Sequence, residues 1–125
     1  MPEETRSGGC LCGAVRYQVR GAPFKSGLCH CADCRKITGS SFLAFADWRP
    51  GQFAQTGEYS TYDGRCFCPR CGSHVFSFGE DQVEIYLGGL DDAPTDIVPQ
   101  FEGWCIRREP WLPILPGMPM YPRDP

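Results

Sequence analysis

The sequence predicts an all-β fold with few, short helices. Glycine and proline contribute 15 and 12 of the 125 residues, and both favour turns and short strands over long helices. Several segments alternate apolar and polar residues, which is typical of half-buried strands. Short cysteine clusters with the spacing of metal-binding turns lie between these segments. At this length we expect one domain, residues 1–125.

The apolar pattern indicates where the strands lie. In residues 13–20, Val15, Tyr17 and Val19 would share one face of a strand, with polar residues on the other. Further strands are expected in residues 25–30, 42–46, 53, 59–62, 65–68, 75–78 and 83–87. Residues 31–38 lack a strand pattern and predict a short helical turn that ends at Gly39. The dipeptide at residues 63–64 (Asp-Gly) is typical of a hairpin turn.

The C-terminal part of the chain is less regular. From Gly88 onward we expect irregular structure, and residues from about 110 to 125 are rich in proline. Because proline cannot continue a helix or an inner strand, this segment is expected to be an extended tail. The tail would either lie over the domain or be partly mobile.

Charge and hydropathy indicate the class of protein. The formal net charge is −3, which does not indicate a nucleic-acid surface. No apolar run approaches the ~20 residues of a membrane span, and residues 1–6 are polar, without a signal-peptide core. We therefore expect a cytoplasmic protein without a membrane or nucleic-acid partner. In a reducing compartment, an odd number of cysteines favours metal binding over disulfides.

Two closely spaced cysteine pairs predict a closed, four-thiolate zinc site. These residues are Cys10, Cys12, Cys68 and Cys71. Because the pairs are distant in sequence, the site would join the N-terminal strand to a central hairpin. Its gross contribution to folding would be on the order of 10 kcal/mol. Gly13 and Gly72 each follow a cysteine, where a positive φ is often needed. The alternative is that these cysteines are buried free thiols.

A cysteine triplet predicts a second, open zinc site. If Cys29 and Cys31 lie on a strand, their sulfurs face one side, and Cys34 returns from a tight turn to complete three ligands. The fourth position would be open to water, a substrate thiol or a nearby side chain, and an open position allows chemistry. The alternative is a redox dithiol formed by Cys31 and Cys34.

Several residues around the triplet are candidates for secondary roles. His30 could support a ligand, be the fourth ligand or pack as an ordinary strand residue. Arg35 and Lys36 could stabilise thiolates or bind a carboxylate of the substrate, or be ordinary solvated charges. Three further residues are interpreted as ordinary structural or surface groups: His74, Cys66 and Cys105.

The cysteine motifs together resemble the glutathione-dependent formaldehyde-activating enzyme family, also called the GFA or CENP-V/GFA domain. The matching pieces are residues 9–17 (GCLCGAVRY), 29–36 (CHCADCRK) with Gly39, 65–72 (RCFCPRCG) and 110–112 (PWL). The resemblance spans residues 8 to about 112. In combination the three cysteine motifs are highly specific.

The resemblance implies an Mss4-like β fold with two zinc sites. The outer pairs would hold a structural zinc, and Cys29, Cys31 and Cys34 would hold a catalytic zinc. The implied activity is carbon–sulfur lyase chemistry, the reversible addition of glutathione to formaldehyde that gives S-hydroxymethylglutathione. Arg35 or Lys36 would help to hold the acidic thiol. Members often carry a histidine before the final tryptophan, but residues 99–104 contain none.

The alternative function is a non-catalytic zinc module that binds a protein or a small thiol. The CENP-V branch of the family and the Mss4-like fold both make this function credible. Metal content separates the two hypotheses. The enzyme requires two zinc ions per chain, the second exchangeable, whereas the module requires one tightly bound ion. No pattern in the sequence indicates an oligomeric state.

Overall fold

The computed structural model describes residues 4–125, and the predicted all-β class is confirmed. The expectation for the first three residues lies outside this range. The elements in chain order are β1 (Thr5–Gly9), β2 (Arg16–Arg20), β3 (Lys25–Cys29), α1 (Ala32–Thr38), β4 (Leu43–Trp48), β5 (Phe53–Thr56), β6 (Ser60–Tyr62), β7 (Arg65–Phe67), β8 (His74–Phe78), β9 (Val83–Tyr86) and β10 (Glu102–Gly103). Short 3-10 turns follow β4 and β9 and lie after β10.

The strands form two sheets. The smaller sheet has the order β1-β2-β5, and both of its pairings are antiparallel. The larger sheet has the order β10-β3-β4-β9-β8-β7-β6. All neighbours in the larger sheet are antiparallel except β10, which pairs in parallel with β3.

Two strands were not predicted from the sequence. β1 reads TRSGG, which has no apolar alternation, and it forms because it pairs along its whole length with β2. Gly8 permits this approach, since a Cβ there would lie 2.5 Å from the Tyr17 hydroxyl. β10 lies in the segment expected to be irregular, and it pairs with Leu28 and Cys29. In both cases a partner strand, and not local propensity, determines the conformation.

The predicted hairpin and helix are both present. Asp63 and Gly64 have φ values of 51° and 77°, as a two-residue turn with both central residues in the left-handed region requires. Helix α1 ends at Gly39 with a φ of 65° and a capping hydrogen bond to Arg35, as predicted. In residues 4–125 no helix combines the length and the apolar character needed to cross a membrane.

The main core lies between the two sheets. Side chains of β2 pack against one face of the larger sheet, and most members are fully buried. The principal apolar contributors are Val15, Tyr17, Val19, Ala46, Trp48, Val75, Phe76, Val83 and Ile85. The buried Trp48 indole also donates a hydrogen bond to the Gly21 carbonyl at 2.9 Å. This core holds the two sheets in a defined relative position.

The opposite face of the larger sheet carries a second, smaller cluster. Leu43, Phe45 and Tyr86 are buried there, with Cys29, Cys34, Ile37 and Phe101 packed against them. Because side chains alternate along a strand, this face also carries every second residue of β3 and β9. Cys29, at the end of β3, therefore lies on this face, and Cys34 of α1 packs against it.

The proline-rich segment pairs with β10. Glu102 donates its N–H to the Pro119 carbonyl at 2.9 Å, and its carbonyl accepts from Tyr121 at 2.9 Å. Trp104 donates to the Arg123 carbonyl at 3.1 Å. Residues 119–123 thus lie along β10, on the edge of the sheet next to Cys29.

Tyr17→Phe is expected to stabilise the fold by about 1 kcal/mol, because an unpaired buried polar group costs roughly 1–3 kcal/mol. The Tyr17 side chain is 2% exposed and its hydroxyl has no hydrogen-bond partner. Tyr86→Phe is the matched control, since the Tyr86 hydroxyl pairs with Ser77 Oγ at 2.7 Å, and it should lower stability by a similar amount. Urea denaturation measures both. A loss of stability in Tyr17→Phe would contradict the assignment of an unsatisfied hydroxyl.

Candidate functional site

Four predicted cysteines come together between the two sheets. Cys10 and Cys12 lie in the loop from β1 to β2, and Cys68 and Cys71 lie in the turn from β7 to β8. The Cys12 sulfur lies 3.7 Å from the sulfurs of both Cys10 and Cys68. All four sulfur atoms lie within 4.8 Å of one another. This four-sulfur group joins a loop of the smaller sheet to a turn of the larger one.

Backbone groups hold the four-sulfur group in position. Val15 donates its N–H to the Cys10 sulfur at 3.2 Å, and Arg70 donates to the Cys68 sulfur at 3.4 Å. Gly13 and Gly72 have φ values of 83° and 79°, so each tight turn needs glycine, as the sequence indicated. The Ser73 hydroxyl, 3.2 Å from the Cys71 sulfur, acts with the Ser73 backbone and with Cys12 to lower the pKa of the Cys71 thiol to about 5. The turn therefore stabilises the thiolate form of Cys71.

The triplet cysteines form a second, three-sulfur group at the start of α1. Cys29 ends β3, and Cys31 is the N-cap residue of α1, whose sulfur accepts the N–H of Cys34 at 3.3 Å. The three sulfur atoms lie within 4.8 Å of one another. Because the helix begins within the motif, its first turn brings Cys34 back beside the two strand-end cysteines.

The three thiols share negative charge. A hydrogen bond from Cys34 lowers the pKa of Cys29 to about 6. The same contact, now with a thiolate as neighbour, raises the pKa of Cys34 well above its ordinary value. In this arrangement one thiol ionises readily, and its negative charge opposes ionisation of the other two. A cation bound among the three sulfurs would allow the other two to ionise as well. The donor set therefore fits a thiophilic ion such as zinc.

His30 lies behind the three-sulfur group and contacts a buried carboxylate. Its Nε2 lies 2.8 Å from Glu102 Oε1, and both side chains are 1% exposed or less. Arg108 donates its Nε–H to the same Glu102 oxygen at 2.9 Å. Burial alone would raise the pKa of Glu102, but the hydrogen bonds from Arg108 and His30 hold it below its ordinary value. This buried chain connects the CHC motif to β10 and the residues after it.

Other predicted residues have defined contacts. Arg35 forms an ion pair with Glu109 at 2.6 Å and donates to the Arg107 carbonyl, whereas Lys36 is exposed and has no ion pair among residues 4–125. Cys66 is fully buried, and burial raises the pKa of its thiol to about 11.

Two residues interpreted as ordinary groups have specific neighbours. Cys105 lies with His30 and Glu102, so that one ligand atom of each falls within 4.8 Å of the others, and its thiol donates to the Glu102 carbonyl at 3.5 Å. The ring of His74 lies 5.3 Å from that of Phe67, and its buried Nδ1 has no hydrogen-bond partner.

Two cavities lie beside the cysteine groups. A cavity of about 140 Å³ is lined by Cys29 together with charged residues of β3, β4 and β9 and by Asp124. A larger cavity of about 660 Å³ lies between the Cys10 loop, the end of α1 and the turn that carries His74. Of the three-sulfur group, only Cys29 lines either of these cavities. Of these two cavities, the smaller one is therefore the one that borders Cys29.

A mainly β fold with one four-sulfur and one three-sulfur group defines a protein able to hold metal ions at two separate places. Residues 5–107 match the family model described as glutathione-dependent formaldehyde-activating enzyme. The chain belongs to this family, as its cysteine motifs predicted.

Two relatives add to this result. A Schizosaccharomyces pombe protein named as an uncharacterized lyase is 32% identical over 81 residues, which are 61% of this chain and 58% of that protein. The match thus spans a little over half the length of that relative. A Rhodobacter sphaeroides protein of known crystal structure matches with a TM-score of 0.56 at 19% identity, covering 74% of this chain and 97% of its own. The second likeness shows the fold alone.

Sequence reasoning missed the polar groups around the three-sulfur group. Glu102 and Arg108 lie in a stretch without strand pattern, and only the contact of Glu102 with His30 and with Arg108 gives them a role. Leu43, Phe45 and Asp47 occupy alternate positions of β4. A polar residue on an otherwise apolar strand face was therefore the signal that could have identified Asp47. The strand predicted from the sequence ended at residue 46 and therefore did not include Asp47.

Proposed function

We propose that the protein is a zinc-dependent carbon–sulfur lyase that acts on the adduct of a thiol and an aldehyde. The reaction would be the addition of glutathione to formaldehyde to give S-hydroxymethylglutathione, or a closely related reaction. The observation that carries the proposal is the three-sulfur group, whose Cys29 lines a cavity in a member of this family. The alternative is a non-catalytic zinc module that binds a protein or a small thiol.

Cys29, Cys31 and Cys34 would hold the catalytic zinc. A zinc ion bound there would supply Lewis acidity and keep a substrate thiol in its nucleophilic thiolate form. Cys29 lies at the wall of the cavity, whereas Cys31 and Cys34 lie towards the first turn of α1. A substrate sulfur would therefore approach from the Cys29 side.

The four-sulfur group would hold a structural zinc. Its members come from loops of both sheets, and every position of a tetrahedral site would be filled by a cysteine. A closed site leaves no position for a substrate. We therefore assign catalysis to the three-sulfur group alone.

Charged residues after Cys34 would bind a carboxylate of the acidic thiol. Lys36 is exposed and available for this contact. Arg35 would have to exchange Glu109, its ion-pair partner at 2.6 Å, for the substrate. Lys36 is therefore the cation of the two that can bind a substrate carboxylate without first losing an ion pair.

The zinc-loaded protein is expected to accelerate formation of S-hydroxymethylglutathione above the uncatalysed rate, and Cys31→Ser is expected to abolish this acceleration. Serine removes one of three thiolates from the open site and leaves the four-sulfur group intact. The rate is measured across several thiols with the spontaneous reaction subtracted, alongside zinc content with and without glutathione. The wild type should hold two zinc ions per chain and Cys31→Ser should hold one.

The results separate the two functions. A wild-type rate equal to the uncatalysed rate for every thiol would contradict the lyase proposal. One tightly bound zinc per chain together with that rate would favour the binding module. A Cys31→Ser protein that keeps both ions and full activity would remove the triplet from the catalytic role.

A further inference from the structure

A row of charged side chains crosses the face of the larger sheet that carries Cys29. The strand register pairs Lys25 of β3 with Asp47 of β4, and Asp47 with Glu84 of β9. Paired residues of neighbouring strands point to the same face. Cys29 lies four residues along β3 from Lys25 and thus on this face as well. All four residues line the same 140 Å³ cavity.

The two carboxyl groups of this row have no hydrogen-bond or ion-pair partner among the described residues. Asp47 is 1% exposed, and its Oδ1 is buried without a hydrogen bond. Among residues 4–125, neither carboxyl group forms an ion pair or a side-chain hydrogen bond. An unpaired buried carboxylate destabilises a fold, so a cationic partner at this place would be stabilising. The pair is therefore available to a ligand in the cavity.

The other charged groups at the cavity do not neutralise the pair. The Lys25 ammonium lies 5.5 Å from the centre of the Phe101 ring, and it forms no ion pair with described residues. Asp124 accepts a hydrogen bond from the Trp104 indole at 2.9 Å. Arg65 of β7 interacts with Glu84 only at longer range, and its ion pairs are with Asp33 and Asp63. The cavity thus brings two carboxyl groups and one ammonium without ion pairs together, and Asp124 and Pro125 also line it.

This charge pattern is complementary to an amino-acid head group, which carries an ammonium and a carboxylate on one carbon. The ammonium would pair with the two carboxylates and the carboxylate with Lys25. The rings of Phe45 and Phe101 also line the cavity and would contact the methylene groups of the ligand between its head and its sulfur.

The distance from the residues that would contact the head group to Cys29 determines how long the thiol must be. The four-residue separation of Lys25 and Cys29 corresponds to about 13 Å along an extended strand. In a γ-glutamyl thiol such as glutathione, the sulfur lies about 10 Å from the amino group when extended, given standard bond lengths. The long Lys25 and Glu84 side chains can cover the remainder. Free cysteine, with its amino group next to its sulfur, is too short to reach both ends.

We propose that Lys25, Asp47 and Glu84 recognise the zwitterionic amino-acid head of a γ-glutamyl thiol whose sulfur reacts beside Cys29. This inference rests on the proposed function and specifies which group of the thiol is recognised. The three residues are specificity determinants and take no part in bond formation. The exposed Lys36 remains available for the carboxylate at the other end of the ligand.

Binding through this row depends on pH. Burial raises the pKa of Asp47 to about 6, against the opposing charge of Lys25. Burial, with smaller contributions from Asp47 and Cys29 and against Lys25 and Arg65, raises the pKa of Glu84 to about 7. A carboxyl group with a raised pKa is protonated below that value and then cannot attract an ammonium. Affinity for the head group is therefore expected to fall as the pH decreases from 8 through 7 to 5.

The test uses S-methylglutathione, which keeps the head group but cannot present a thiolate. Titration calorimetry with the zinc-loaded wild type should show binding. N-acetylation of the ligand removes its ammonium and should weaken binding about 10- to 100-fold, because a charge-assisted hydrogen bond contributes roughly the corresponding free energy. The glycine ethyl ester of the same ligand is the comparison: it removes only the carboxylate assigned to the exposed Lys36, so it should weaken binding no more than about fivefold, as the loss of an exposed ion pair does.

Single-residue variants test whether Asp47 and Glu84 bind the head group. Glu84→Gln and Asp47→Asn should each weaken binding of S-methylglutathione about tenfold or more and should not change binding of the N-acetylated ligand. Glu80→Gln removes a carboxylate from the exposed turn between β8 and β9 and should have no effect. In the lyase assay, the first two variants should raise KM and leave kcat within threefold. Unfolding curves and zinc content verify that each variant is folded and loaded.

The outcomes distinguish this inference from the proposed function. Equal affinity for S-methylglutathione and its N-acetylated form, or an effect of Glu84→Gln below twofold, overturns the recognition row even if the lyase is active. Failure of S-methylglutathione to bind overturns it as well. Selective binding of the head group without a rate above the uncatalysed reaction supports the recognition row and overturns the lyase proposal.

Discussion

Cys68→Ser is expected to unfold the protein at 25 °C. The Cys68 sulfur is fully buried and lies 3.7 Å from that of Cys12, which belongs to a loop of the other sheet. A structural zinc contributes on the order of 10 kcal/mol, which is comparable to the total stability of about 5–15 kcal/mol of a typical domain. Serine is a poor zinc ligand, so the variant would lose most of this contribution to stability. Far-ultraviolet circular dichroism and zinc content measure the loss.

Cys66→Ser is the matched control for this prediction. Cys66 is also fully buried and lies two residues away, but it belongs to neither sulfur group. Burying a serine hydroxyl there should cost only about 1–3 kcal/mol, and the variant should remain folded with its full zinc content. Equal damage from Cys66→Ser and Cys68→Ser would mean that burial, and not metal binding, accounts for the effect.

Glu102→Ala is expected to lower the free energy of unfolding by about 3–5 kcal/mol, the usual cost of leaving a buried ion-pair partner alone. Glu102 is fully buried, and one of its oxygens contacts both His30 at 2.8 Å and Arg108 at 2.9 Å. Its removal leaves the Arg108 guanidinium without this carboxylate and opens a cavity behind the CHC motif. Urea denaturation at pH 7 measures the change.

Two comparisons make the Glu102 prediction specific. Glu109→Ala removes the partly exposed partner of Arg35 and should cost about 0–1 kcal/mol, as pairs near the surface do. The pKa of Glu102 is lowered in the fold. The Glu102 carboxylate therefore makes its full contribution to the free energy of unfolding above the ordinary pKa range of a carboxyl group. This contribution is lost as the pH falls through the pKa of Glu102 in the folded state. The wild type should therefore lose more stability than Glu102→Gln on acidification. Equal costs for Glu102→Ala and Glu109→Ala would show that the buried contact contributes nothing.

Local patterns predicted most of the secondary structure. Val15, Tyr17 and Val19 alternate clearly, and the structure buries all three. Tyr17 and Val19 lie in β2, which begins at Arg16 and not at Gly13, whereas Val15 lies in the turn before it. Gly13 takes a positive φ and turns the chain there. β1 and β10 escaped prediction because each consists of residues with little strand propensity that pair with a neighbour already in place.

The polar groups of the site could not be predicted in the same way. Asp47 and Glu84 are distant in sequence, and each looks like an ordinary charged residue in its own segment. Their proximity follows from the register of β4 with β9, which places them directly opposite each other. The contact of His30 with Glu102 likewise depends on the parallel pairing of β10 with β3.

The sequence by itself determined the β class, the division of seven cysteines into two groups and the family. It could do so because the ligands of a metal-binding turn lie two or three residues apart, where spacing alone brings sulfurs together. Only the tertiary structure decided which groups surround the three-sulfur group. Strand register brings together Lys25, Asp47 and Glu84, and a buried carboxylate supports His30. These contacts join residues far apart along the chain, so no local pattern encodes them.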